Sequence, residues 1–460
     1  MRDWLLTGGM CAATVAAGWP WVPYLTGVRP SPLGRAALGW LVGAALVSLA
    51  MLLVVYPGLP LNRATLALAF AGTFALGSFL DGRSPPRHAQ GPAPGSLRPA
   101  IVLLVVTGAA LAYGVLLVFR LGPIDSTDFV KAWGLKASFA FQQHDLTFSG
   151  HAGPHLFYPL LVSNMNAAVY LTLGHVNDTV VRLPGALFGV ATAGSTWWLL
   201  RLRVAPVWAA FAVCLAVTTP VFTTTMTSGL ADLTTAAYLT PAVIAAYLWL
   251  ESGGAGFAAL AGFMAGGAAW TKLEGAPSGI VLLATVLLIR RQLRTPGAAA
   301  WLAWFAAFVI PWQIFMRIHD IPLNRSHFAK LYLNLWWISK HVVSALADTT
   351  DWGIFWPLCF AIVVLAIPFW WHSEWRYLAA LVIPNLILTA GAYVTHYRTG
   401  VAGSVASTAP RLYLHLAPAT AALAAVAAMS AYHGLVASRR EGVEMQGSRN
   451  DQPAGRGDHG

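Results

Sequence analysis

The chain has 460 residues, of which 57% are hydrophobic and 10% charged, at a mean hydropathy of +0.63, whereas a soluble domain is about one quarter charged. This balance excludes an ordinary globular protein. Apolar stretches of about 18 residues or more recur from end to end, each able to cross roughly 30 Å of hydrocarbon, so the expected fold is an all-α polytopic membrane protein. The formal net charge of +11 does not indicate nucleic acid, because the arginines sit mainly in short loops beside apolar stretches, where the positive-inside rule accounts for them.

In chain order, apolar runs begin near Trp4, Ala36, Ala64, Ala100, Leu183, Ala205, Leu233, Gly256, Pro277, Ala298, Gly353, Tyr377 and Leu412, which predicts about thirteen transmembrane helices. The first lacks a strong basic lead-in, since Arg2 is followed by Asp3, and reads as a retained helix, not a cleaved signal. One further run, His155 to Leu173, carries Ser163, Asn164 and Asn166 near its middle, and these are costly against lipid. If that run lies along the surface, Arg83, Arg87, Arg98, Arg201, Arg203, Arg290, Arg291, Arg294, Arg376, Arg439 and Arg440 all fall on one face, the cytoplasm. That arrangement leaves the N-terminus outside. It also divides the chain into 1–98, three extra N-terminal spans; 99–435, a transmembrane core with outer loops 121–181 and 317–351; and 436–460, a polar, disordered cytoplasmic tail. Arginine greatly outnumbers lysine and alanine is abundant, a composition expected of a GC-rich bacterial genome and hence of a bacterial inner membrane. Cys11, Cys214 and Cys359 sit in apolar runs without pairing or metal spacing and are read as small buried hydrophobes.

With this topology most of the acidic residues outside the tail, and all five lysines, gather on the outer face. Asp125 and Asp128 open the first outer loop, followed by Trp133, Lys136 and Phe139 at helical spacing, a stripe expected to lie in the interface with its aromatic at headgroup depth. A carboxylate there could serve as a general base; Asp128 equally suits a helix N-cap, and so does Asp232 at the head of its own run. Lys272 and Glu274, at a tight Gly- and Pro-flanked reversal, suggest a polar pocket, although a lone lysine there is often a snorkelling anchor. Arg411 opens the last run, where a guanidinium could grip a phosphate or merely anchor the interface. The loop 317–351 adds Arg325, His327, Lys330, Tyr332, Trp336, Trp337, Lys340 and His341, suited to an anionic lipid or a gate. No phosphate loop, HExxH or GxSxG motif is present. Gly266 and Gly267 fall inside a run and read as a close helix-packing point.

These pieces, in this order, resemble the GT-C superfamily of integral-membrane glycosyltransferases, in its branch of bacterial enzymes resembling protein mannosyltransferases and the lipid A aminoarabinose transferase. The resemblance rests on Asp128, Trp133, Lys136 and Ala137; on His155 with Tyr158-Pro159-Leu160-Leu161; on Arg182 to Gly189; on Asp232; on Thr271 to Gly275; and on Arg411 to Pro418. It runs from about Asp125 to Pro418 and implies a GT-C-type fold with outer-face juxtamembrane helices. It further implies transfer of a sugar from a polyprenyl-phosphate donor to an acceptor hydroxyl, with inversion. Asp128 or Asp125 would act as base with Asp232 beside it, while Lys272, Glu274, Arg411, Lys136, His155 and Tyr158 would hold the donor. A divalent cation on Asp128 and Asp232 is left open, as is whether the acceptor is a glycan, a lipid or a protein. Two alternatives compete: a transporter or flippase of a lipid-linked sugar, which should carry ionisable groups at mid-membrane depth, and an O-antigen ligase or polymerase, which would depend on Arg and His in a large outer loop.

Overall fold

The computed structural model describes residues 1–83, 93–148, 155–289, 296–322, 335–395 and 401–450; for 83, 394–395, 401–404 and 440–450 the description is of the backbone. Arg87, Arg290, Arg291, Arg294, Arg325, His327, Lys330, Tyr332 and the end of the tail, 451–460, lie outside the described residues. In chain order the helices are α1 (Arg2–Gly18), α2 (Trp21–Thr26), α3 (Pro32–Val55), α4 (Arg63–Arg83), α5 (Ile101–Arg120), α6 (Gly134–Gln143), α7 (Leu161–Leu173), α8 (Arg182–Arg201), α9 (Pro206–Val217), α10 (Pro220–Thr227) and α11 (Ala231–Ser252). They continue as α12 (Ala255–Thr271), α13 (Gly275–Ile289), α14 (Pro296–Ile318), α15 (Leu335–Leu346), α16 (Thr349–Trp352), α17 (Phe355–Leu365), α18 (Ile367–Trp370), α19 (Arg376–Thr395), α20 (Val401–Leu414) and α21 (Ala417–Asn450). A π-helical turn, Phe129–Trp133, leads into α6. Local chemistry explains many of the boundaries. The Ser31 side chain accepts from the Gly34 amide at 3.2 Å with Pro32 in the first turn, and Gly174 and Gly253 close α7 and α11 at φ 85° and 70°, the left-handed cap that glycine adopts without strain.

The protein is an all-α, polytopic membrane protein. Each of the thirteen expected runs forms a helix: α1, α3, α4, α5, α8, α9, α11 to α14, α17, α19 and α21. Among the described residues, seven helices are long and apolar enough to cross a bilayer, or eight if α9 and α10, bent by 66°, make one span. Shorter apolar helices, α12, α13 and α17, account for part of the difference. The central helix is α11, buried at every residue from Ala231 to Leu250. It packs against α8, α12, α13 and α19.

The N-terminal helices are not an appendage. α3 lies inside the bundle against α1, α7 and α8, and its backbone carbonyls serve other elements. Tyr238 Oη donates to Leu41 O at 2.6 Å, and Asn164 Nδ2 to Ser48 O at 3.0 Å. The Ser48 hydroxyl accepts from Trp270 Nε1 at 2.9 Å, one turn before the α12–α13 reversal. Such bonds matter where no water is available to satisfy buried polar groups.

The ambiguous run becomes α7, thirteen residues long, with Ser163, Asn164 and Asn166 all buried in protein. It packs on α1, α3 and α6. The stripe of the first outer loop is likewise turned inward. Trp133 and Lys136 are buried, covered by the segment just before α7, where Tyr158 stacks on Trp133 and the Tyr158 and Pro159 carbonyls accept from Lys136. The segment 436–450, expected to be disordered, continues α21 as helical backbone.

Charged groups sort to the two ends of the bundle. Asp3 Oδ2, at the head of α1, meets His175 Nε2 at 2.9 Å and Asn177 Nδ2 at 2.8 Å, just before α8. The same end holds the C-terminus of α5, the N-terminus of α11 and the α12–α13 turn, joined by the ion pairs described next. At the other end Arg203 Nε donates to Glu251 Oε2 at 2.7 Å, and Tyr247 stacks on Trp375 at 5.1 Å.

Candidate active site

Asp232 sits in the first turn of α11 with no solvent-accessible surface. A bare carboxylate buried this way would be prohibitive, so it must be compensated. Three side chains do this. Lys272 Nζ donates to Oδ1 at 2.8 Å, Arg411 Nε donates to Oδ2 at 2.9 Å with Nη2 also 2.9 Å from that oxygen, and His415 Nε2 lies 3.2 Å from Oδ1. Arg411 and His415 stand one helical turn apart and so face the same carboxylate. The third guanidinium nitrogen, Arg411 Nη1, reaches Asp128 Oδ2 at 2.5 Å. Asp128 is 43% exposed, so the two acids differ in kind: one is sealed and saturated, the other open and bridged to it by a single arginine.

Lys272 is placed by the reversal itself. It leaves the helical conformation at the end of α12, and Gly275 then starts α13 so close to α12 that a Cβ would overlap the Ala268 carbonyl. This close approach explains the glycine that ends the Thr-Lys-x-Glu-Gly pattern. Glu274 Oε1 completes the network at 3.5 Å from Lys272 Nζ. Burial alone would lower the Lys272 pKa, but the Asp232 and Glu274 carboxylates outweigh it and hold the ammonium above its ordinary range.

These groups open onto a cavity of about 130 Å³ lined in part by Asp128, Trp133, His155, Tyr158, Lys272, Glu274, Tyr393, Thr408 and Arg411. One wall is a stack of near-parallel rings: Trp133 on Tyr158 at 5.4 Å and 11°, and Tyr158 on His155 at 4.9 Å and 5°. Burial, then the nearby Glu274, pushes the Tyr158 phenol up to about 12, so it stays neutral and can only share its hydroxyl. On the opposite side Thr408 Oγ1 and Tyr393 Oη are 3.2 Å apart.

Seven of the residues expected from the sequence therefore converge: Asp128, Asp232, Lys272, Glu274, Arg411, His155 and Tyr158. Two stand apart from this cluster. Lys136 is fully buried behind the ring stack, where Nζ donates to Tyr158 O at 2.7 Å and Pro159 O at 3.3 Å and lies 5.3 Å from the Trp133 ring centre. Asp125 stands off the cavity and acts through space on Arg182. Sequence reasoning gave no role to His415, Tyr393 or Thr408. His415 was detectable as the residue four after Arg411, whereas Tyr393 and Thr408 carry no signal apart from the contact. Among the described residues, α15 packs on α20 and α19 but places no side chain on the cavity.

No group of three or more His, Cys, Asp or Glu side chains among the described residues could hold a metal ion. The two acids left open as cation ligands, Asp128 and Asp232, have the Arg411 guanidinium between them. A positive charge already occupies the position a shared cation would take. The donor set as arranged does not fit a metal.

The sequence profile of the dolichyl-phosphate-mannose-protein mannosyltransferase family matches residues 159–315, about a third of the chain. The matched stretch contains Asp232, Lys272 and Glu274, while Asp128 and Arg411 lie on either side of it. No curated protein and no solved structure matches the chain. The match supports a mannosyltransferase-like glycosyltransferase of the GT-C superfamily.

Proposed function

We propose, with that family match as the premise, that the protein transfers a sugar from a polyprenyl-phosphate donor to an acceptor hydroxyl at the outer face of a bacterial inner membrane, with inversion. The observation that carries this reading is the arrangement of two cations, Lys272 and Arg411, and two accessible acids, Asp128 and Glu274, around one cavity, with Asp128 the more exposed acid at 43% against 34%. The acceptor hydroxyl gives its proton to Asp128 as its oxygen bonds the anomeric carbon. The bond from that carbon to the phosphate oxygen breaks, and the electron pair leaves on the lipid phosphate. Lys272 and Arg411 stabilise the charge that develops there, and fixed cations in a partly dry site do so strongly. Because phosphate leaves as an anion, no second acid is required, in contrast to glycoside hydrolysis.

Two features of the geometry fit these roles. Asp232 is saturated by Lys272, Arg411 and His415, so it serves as the fixed anchor of the cations and leaves proton abstraction to Asp128. Arg411 Nη1 holds Asp128 in the free protein; when the donor phosphate takes that nitrogen, the carboxylate is released to act as base. The ring stack of Trp133, Tyr158 and His155 forms the wall along which a sugar would lie. The nearly charge-free interior favours chemistry at one end of the bundle over passage through it.

The test is release or transfer of sugar from a radiolabelled polyprenyl-phosphate donor by purified protein beside its Asp128→Asn variant. Turnover by the wild type, abolished in the variant with donor binding kept, is the expected result. Binding without turnover in both proteins, across a panel of donor sugars, would favour a transporter instead.

A further inference from the structure

The Arg182 to Gly189 signature has no task in the reaction just described. Its arginine opens α8, is 6% exposed, and reaches three backbone carbonyls. Nε donates to Gly122 O at 3.0 Å, Nη2 donates to Pro123 O at 3.0 Å, and Nη1 donates to Thr227 O. Gly122 and Pro123 lie in the segment that leads to Asp128. Thr227 is the last residue of α10, five before Asp232. One guanidinium therefore joins the approach to the base with the approach to its buried partner.

The same two segments touch at further points. Ser126 Oγ donates to Ser228 O at 3.3 Å. Gly229, at φ 68°, fits so closely against Ile124 and Phe129 that a Cβ would stand 2.5 Å from Ile124 Cδ1. Thr227 O belongs to the C-terminal carbonyls of α10, which lack intrahelical donors and carry the negative end of the helix dipole. A buried arginine satisfies such acceptors with its planar fork; a lysine, a point charge with one nitrogen, cannot span all three. Asp125, the acid that stands off the cavity, supports the guanidinium electrostatically.

We propose that Arg182 is a positioning residue, a clamp that sets the distance between the Asp128 and Asp232 segments so that Arg411 can bridge the two acids. The proposal rests on the reading of Asp128 as the base. Arg182 touches neither substrate nor reacting atoms, and its removal leaves Lys272 and Arg411 on Asp232 while letting Asp128 drift. A displacement of about 1 Å can cost about 10²-fold in rate.

In the donor assay, Arg182→Lys should lower kcat about 10²-fold with donor KM close to the wild-type value, and added guanidinium ion, but not methylammonium, should restore turnover to Arg182→Ala. Wild-type kcat in Arg182→Lys would overturn the clamp. So would loss of donor binding together with kcat in Arg182→Ala without rescue, the behaviour of a mere strut. A second measurement needs no activity: spin labels on Thr127→Cys and Thr224→Cys, with Cys214 changed to Ala. The distance distribution should be narrow in the parent, broad with Arg182→Ala and narrow again with guanidinium. If the wild type shows no turnover at all, the proposed reaction fails and this distribution alone decides; an unchanged width would overturn the clamp.

Discussion

Two lysines of the outer loops illustrate how burial and partners set a residue's task. Lys272 and Lys136 are both buried, but Lys272 faces two carboxylates and stays charged, whereas Lys136 faces only carbonyls and an indole. Burial pushes the Lys136 ammonium down from 10.5 to about 7. The unfolded chain therefore binds more protons than the folded protein between about pH 7 and 10.5. The contribution of Lys136 to stability rises with pH across that window and is smallest below it. The thermal midpoint of the detergent-solubilised wild type should climb from pH 7 to pH 9 relative to that of Lys136→Met. Parallel curves for the two proteins would contradict the assignment. Spacing put Lys136 on an interfacial stripe, and the family resemblance implied that it would hold the donor; its position behind Tyr158 makes it a support of the ring stack. Spacing places a residue on a face of a helix and says nothing about what covers that face.

At the scale of elements, small residues determine where helices can cross, because apolar contact with lipid is nearly as good as contact with protein and packing decides the outcome. Gly39 and Gly43 of α3 face Gly18 of α1, and a Cβ at either Gly18 or Gly43 would overlap backbone of the opposing helix. Gly43→Leu should force the helices apart and cost about 1–3 kcal/mol, as overpacking does, with chemical unfolding in detergent as the measurement; an unchanged midpoint would show that the crossing is not tight. The pair Gly266 and Gly267 was legible as a packing point, and the structure seats them against Phe308 and Tyr238. The place of α3 was not legible. A hydropathy profile shows a long apolar helix equally well whether it is peripheral or central, and only the bonds to Leu41 and Ser48 make it a buttress of the site.

Across the whole molecule, the charged clusters occupy opposite ends of the bundle, one holding Asp128, Asp232, Lys272 and Arg411, the other Arg203 and Glu251. The proposed reaction takes the arginine-rich end as cytoplasmic, by the positive-inside rule, and so assigns the cavity to the outer face. Val130 and His372 are exposed at the two ends. In intact cells an impermeant maleimide should label Val130→Cys at once and His372→Cys only after permeabilisation. The reverse pattern would invert the topology and with it the proposed side of the reaction.

Composition and hydropathy by themselves determined the solvent of this protein, the positions of its helices and the sorting of its charges, because each of these is a sum over neighbouring residues. The order of its motifs was enough to nominate Asp128, Asp232, Lys272 and Arg411. Tertiary structure alone decided which acid is open and which is sealed, that one arginine bridges them, and that Asp125 and Lys136 stand apart. The reason is distance along the chain: Arg411 meets Asp232 across 179 residues and Asp128 across 283, and no local pattern reports a partner so far away.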